Sequence, residues 1–99
     1  MAVLMRFSPK GLTTATYDEC TRRLEKAGAG TPQGRLYHVC FGDKNNLNVS
    51  DIWASREEFE RFAEKLEPVV KDLGIEPGEP EILEIHNIIA GANAGAAKP

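Results

Sequence analysis

The sequence predicts an α+β domain with four strands and two helices in the order β-α-β-β-α-β. Three observations predict it. Residues Asn48 to Trp53 alternate polar and apolar side chains, the mark of a half-buried strand. Ser55-Arg56-Glu57-Glu58 then reads as a capping box, in which Ser55 accepts from the Glu58 amide and Glu58 reaches back to the Ser55 amide. Beyond it Phe59, Phe62, Leu66, Val69, Val70 and Leu73 recur at helical spacing. A strand therefore runs straight into a helix, with the only tryptophan, Trp53, at the junction.

The remaining elements follow in chain order. Ala2 to Phe7 is apolar apart from Arg6 and reads as the first strand, closed by the turn residues Ser8-Pro9-Lys10-Gly11. Thr13 and Thr14 are N-cap candidates for a first helix, in which Tyr17, Cys20, Leu24 and Ala27 share one face. Gly28 and Gly30 end it, as glycine does by taking the left-handed conformation. Gly34 to Phe41 is the second strand, with Tyr37, Val39 and Phe41 on one side and Leu36, His38 and Cys40 on the other. The loop Gly42 to Asn46 is short enough for a hairpin into the third strand, Leu47 to Trp53. The second helix runs from Ser55 to about Leu73, with a kink or break expected at Pro68, which lacks the backbone donor. Gly74 caps it. Glu81 to Ile89 is the fourth strand, and Ala90 to Pro99, small and polar without periodicity, reads as a flexible tail.

This order is the ferredoxin-like βαββαβ arrangement, an antiparallel four-stranded sheet with both helices on one face. Residues 1–89 make one domain and 90–99 a tail. All four strands carry apolar residues on both faces, so the face without helices is too apolar to leave in water. A twofold dimer whose sheets face each other covers it and leaves a cavity for a small ligand, between the sheets or between sheet and helices.

Composition narrows the partners. The hydrophobic fraction of 41% and charged fraction of 27% are ordinary for a globular protein. A net charge of -3 speaks against a nucleic-acid binder and against an anionic membrane surface. No secretory pattern opens the chain and no apolar run reaches the roughly 20 residues of a membrane span, which points to the cytoplasm. Cys20 and Cys40 fall in regular elements without metal-type spacing and read as free thiols.

The run Val49 to Phe62, followed by Leu66-Glu67-Pro68 and Gly74, resembles the dimeric α/β-barrel superfamily, and within it small proteins of the antibiotic-biosynthesis monooxygenase type. Tyr37-His38 before the hairpin and Glu84-Ile85-His86-Asn87 in the last strand add to the likeness, which covers roughly Ala2 to Ile89. The resemblance implies a homodimer, a small aromatic ligand and chemistry without a cofactor. Active relatives include cofactor-free oxygenases of polycyclic phenols and haem-degrading enzymes, whose pockets use a tryptophan on the third strand, and Trp53 stands at the matching place. The haem degraders also need an asparagine on the first strand and a histidine on the second helix, and this chain has neither.

The residues themselves offer a site with alternatives open. His38 and His86 are the only histidines and fall on predicted strands. Each is either a satisfied, partly buried histidine or a pocket group exchanging protons near neutral pH. Two histidines and one carboxylate are too thin a set to propose a metal site. Asp51 precedes Trp53 by two residues, so both point to one side of the sheet. Asp51 is either a general base or a structural acid paired with Arg6, Arg35 or a backbone amide. Trp53 is either core or the wall that stacks an aromatic ligand, with Tyr37 and Phe41 as further members of that wall. The expectation is a cavity lined by Trp53 with Asp51 and at least one of His38 and His86. Two functions fit it: a cofactor-independent oxygenase-like enzyme, or a noncatalytic dimeric module that binds a small molecule or assembles.

Overall fold

The computed structural model describes residues 1–93. Its elements are β1 (Val3–Phe7), α1 (Thr14–Lys26), β2 (Arg35–Asp43), β3 (Asn46–Trp53), α2 (Arg56–Asp72) and β4 (Glu81–Glu84). The sheet has the order β2-β3-β1-β4, all antiparallel, which is the ferredoxin-like topology. Alternation along the strands separates its two faces. Val3, Met5, Asp51 and Trp53 point toward the helices and are buried. Val3, Met5 and Trp53 meet Cys20 and Leu24 of α1 and Phe62 of α2 in one core.

Both helices begin and end where local chemistry says they should. Thr13 Oγ1 accepts from the Thr16 amide and Ser55 Oγ from the Glu58 amide, at 3.2 and 3.3 Å. The second half of the capping box is absent, because the Glu58 carboxylate turns to Arg61 instead. At both C-termini a left-handed glycine, Gly28 or Gly74, closes a Schellman motif. The amide of Ala29 reaches the Leu24 carbonyl, and that of Ile75 reaches Val70. α2 is not broken at Pro68. Pro68 and Glu64, whose carbonyl loses its helical donor to the proline, are both exposed, so water can take the donor's place.

Three further expectations are corrected. The hairpin is tighter than Gly42 to Asn46, because Asp43 pairs with Asn46 and only Lys44 and Asn45 turn the chain. β4 stops at Glu84 rather than Ile89, although the Ile85 amide still bonds the Ala2 carbonyl. β1, its partner among the described residues, begins at Val3, so regular pairing does not extend to residues 86–89. Of the expected tail, Ala90 to Asn93 is exposed and carries no helix or strand, and 94–99 lie outside the described residues.

The third correction fixes the site. Arg35 stands opposite Trp53 and Tyr37 opposite Ile52, so Leu36 is an extra residue in a β-bulge. Simple alternation fails there. From Tyr37 onward Tyr37, Val39 and Phe41 face away from the helices, while His38 and Cys40 face them. The bulge puts Arg35 on the helix side as well.

Candidate functional site

Asp51 is 5% exposed, the one buried charged residue among the described residues. A lone buried carboxylate is costly, and the site is built around satisfying this one. Register pairs Asp51 with His38 across β2 and β3, and His38 Nδ1 lies 2.5 Å from Asp51 Oδ1. The Trp53 indole N–H donates to Asp51 Oδ2 at 3.4 Å. Tyr17, on the inner face of α1, has its hydroxyl 2.5 Å from His38 Nε2. The Asp51 carboxylate accepts at both oxygens, so it takes the Nδ1 proton of His38. With the imidazole neutral, Nε2 is then an acceptor and the Tyr17 hydroxyl donates to it. The result is a directed run, Tyr17 to His38 to Asp51, braced by Trp53 from behind.

The Tyr17 phenol is held above its ordinary value, first by burial and next by the nearby Cys40 thiol and Asp51, while Thr21 and Arg35 pull the other way. It therefore stays neutral and keeps its donor proton at neutral pH. The thiols of Cys20 and Cys40 are pushed up by burial too, and both are free.

The run ends at a cavity of about 690 Å³ between the sheet and the two helices. Its wall is mostly apolar, with Phe7, Leu24, Phe59, Phe62, Leu66 and Val70; Tyr17, Thr21, His38, Asp51 and Arg35 are its buried or half-buried polar members, and Glu67, Lys71 and Glu76 are exposed ones. The segment from Ile75 to Pro80 closes one side. A second hollow of about 230 Å³ lies beside the bulge, and Arg35 and His38 belong to both walls.

The expected site residues separate. Asp51 and His38 come together at the cavity. Trp53 does not line it: the indole is fully buried, packed edge-on behind Phe59 and tilted against Phe62, and its hydrogen bond to the site goes to Asp51. Tyr37 and Phe41 lie on the opposite sheet face and form no wall with Trp53. Tyr37 borders only the small hollow, and Phe41 is 42% exposed. His86 is exposed beyond the end of β4, away from the cavity. Among the described residues no three His, Cys, Asp or Glu side chains converge to hold a metal. No described helix is long and apolar enough to cross a membrane.

Sequence reasoning missed Tyr17 as a site residue and offered Arg35 only as a partner for Asp51, which pairs with His38 instead. Tyr17 carried a signal, since it shares the inner face of α1 with Cys20 and Leu24, where a phenol needs a partner. Arg35 carried none, because only the bulge turns it inward.

The sequence matches no protein-family model and no curated protein. Solved structures do resemble it. SnoaB, a cofactor-independent oxygenase of Streptomyces nogalater, superposes with a TM-score of 0.60 at 16% identity, over 89% of this chain and 94% of that one. A provisionally assigned antibiotic biosynthesis monooxygenase of Chloroflexus aurantiacus gives 0.61 at 12% identity, over 92% and 100%. MhuD, solved with two manganese protoporphyrin IX molecules per active site, gives 0.55 at 16%, over 90% and 99%. At these identities the likeness speaks for the fold, and the fold is that of the antibiotic-biosynthesis-monooxygenase-like proteins, as the resemblance in sequence implied.

Proposed function

We propose that this chain binds an aromatic small molecule in the cavity between sheet and helices and acts on it as a cofactor-independent monooxygenase-like enzyme. The observation that carries the reading is the hydrogen-bonded run Tyr17–His38–Asp51, ending at the wall of an apolar cavity. A base at the edge of an apolar pocket can take a proton from a CH₂ held between aromatic rings and conjugated through them to a carbonyl. The Tyr17 oxygen accepts that proton as its own passes to His38 Nε2, and Asp51 stabilises the resulting imidazolium. The electron-rich carbanion left behind is the reductant, and dioxygen is the oxidant. One CH₂ and one O₂ give one C=O and one water, so the substrate supplies all the electrons.

Trp53 and the strand register serve this reading as support. They fix the Asp51 carboxylate, which fixes the tautomer of His38. The fold shared with a cofactor-independent oxygenase favours the same class of chemistry.

The test is oxygen uptake with anthrone as the probe. The expected result is one dioxygen consumed per anthraquinone formed, with His38→Asn lowering the rate about 10²–10⁴-fold while anthrone binding is kept. Anthrone binding with no oxygen uptake above the uncatalysed rate leaves the noncatalytic ligand-binding module as the better reading.

A further inference from the structure

We propose that Arg35 anchors a carboxylate on the ligand, so that the cavity prefers an aromatic acid to a neutral aromatic of the same shape. The inference rests on the reading of the cavity as a small-molecule site and names the chemistry of what enters.

Six arginines stand in this chain, and five of them, Arg6, Arg22, Arg23, Arg56 and Arg61, have a carboxylate within ion-pair distance. Arg35 is the one without such a partner among the described residues. It is also half-buried, where an unmatched cation costs most. Its guanidinium makes one hydrogen bond, from Nη2 to the Gly30 carbonyl at 3.1 Å, and lies over the Phe62 ring at 5.6 Å from the centroid. Those two contacts hold the group in place and leave four of its five N–H donors without a protein acceptor among the described residues. The buried carboxylate nearby does not take them, because Asp51 is engaged by His38 and Trp53. Glu67 and Glu76, also on the cavity wall, are exposed.

The backbone makes a specific provision for this placement. Without the bulge at Leu36, Arg35 would share the open sheet face with Tyr37. With it, Arg35 stands opposite Trp53 and lines the cavity beside His38. Bulges recur next to functional sites because they re-aim one side chain. A planar guanidinium with free N–H groups matches a carboxylate in two parallel bonds, a fit that a single oxyanion does not use. The apolar wall between Phe59 and Val70 takes the ring system, and the carboxylate turns toward β2.

The experiment is calorimetric titration of the wild-type protein with two probes of one shape, 2-naphthoate and its neutral isostere 2-naphthamide. Naphthoate is expected to bind about tenfold or more tightly than naphthamide, as a charge-assisted bidentate pair requires. Arg35→Gln should bring the ratio to within about twofold by weakening naphthoate alone. Arg35→Lys should keep part of the preference, since it keeps the charge and loses the fork. Equal binding of the two probes to the wild type overturns the proposal, and so does an Arg35→Gln variant that weakens both alike. The wild-type ratio decides even where Arg35→Gln does not fold. Naphthamide bound without preference removes this proposal and leaves the cavity reading intact, whereas no binding of either probe removes both.

Discussion

His38 and Asp51 are register partners across β2 and β3, and their side chains meet at 2.5 Å between Nδ1 and Oδ1. The pair is thus set by backbone pairing rather than by a loop. Elements of a sheet hold side-chain geometry more closely than loops do, and here the same sheet also supplies the Trp53 brace two residues along β3.

Asp51 accepts from two N–H groups, so Asp51→Asn, with a single acceptor oxygen, leaves one of them facing a donor. The expected loss of stability is about 1–3 kcal/mol. Urea denaturation monitored by circular dichroism measures it, and an unchanged midpoint would mean that water already serves one of these donors.

Trp53→Phe tests the brace. Phenylalanine keeps much of the packing against Phe59 and Phe62 and removes the N–H that holds Asp51. Stability should fall by about 1–3 kcal/mol. Affinity for 2-naphthamide should stay within about twofold, because the indole is not on the cavity wall. A large loss of binding with little loss of stability would restore the indole to the wall.

The fold was legible because its signals are local. Ser55 and Thr13 announce helix starts, Gly28 and Gly74 announce ends, and alternation in β3 shows which face is buried. Asp51 and Trp53 were placed together by that alternation alone. The rest depends on pairing between strands. One extra residue at Leu36 moves Arg35 to the helix side and leaves Tyr37 and Phe41 on the other, and nothing in the local pattern marks the bulge. His86 was misplaced for the same reason: a strand runs only as far as its neighbour, and β1 begins at Val3. Trp53 joined its expected neighbours but not its expected role, since burial at the centre of the core and exposure to a ligand look alike in sequence.

Gly34 is held in a left-handed conformation with φ of 89°, and a Cβ there would meet the Glu58 side chain at 2.5 Å. Gly74 has φ of 69° and open space around it. Both Gly→Ala changes should therefore destabilise, and Gly34→Ala should cost more, since it adds a clash to backbone strain of about 1 kcal/mol or more. Parallel thermal melts compare them. Equal losses would show that the Glu58 side chain moves aside freely.

The sheet face away from the helices exposes Val39, Phe41 and Leu83 at 49%, 42% and 46%. We expect a second copy of the chain to cover it, as the dimeric arrangement implied by the resemblance requires. Sedimentation at micromolar concentration should find a dimer, and Val39→Glu should shift it toward monomer by placing like charges across a twofold interface. A wild-type monomer under these conditions removes the expectation.

The final prediction concerns alkaline pH. Tyr17 is held above its ordinary value of 10.0, chiefly by burial, and Cys20 and Cys40 are held above 9.0 for the same reason. An acid whose folded value is raised keeps its proton longer in the folded chain than in the unfolded one. Its contribution is fully present below the unfolded value and is lost as pH rises through the window above it. Stability should therefore begin to fall near pH 9 as the unfolded thiols ionise and fall more steeply past pH 10 as the unfolded phenol joins them. Tyr17→Phe removes one proton from that balance. It should lower stability at neutral pH, because His38 Nε2 loses its donor, and flatten the decline above pH 10. Urea midpoints collected between pH 7 and 11 separate the two effects, the first as a level and the second as a slope. The same decline in variant and wild type above pH 10 would show that the phenol is not desolvated in solution, and would remove Tyr17 as the neutral end of the proton run.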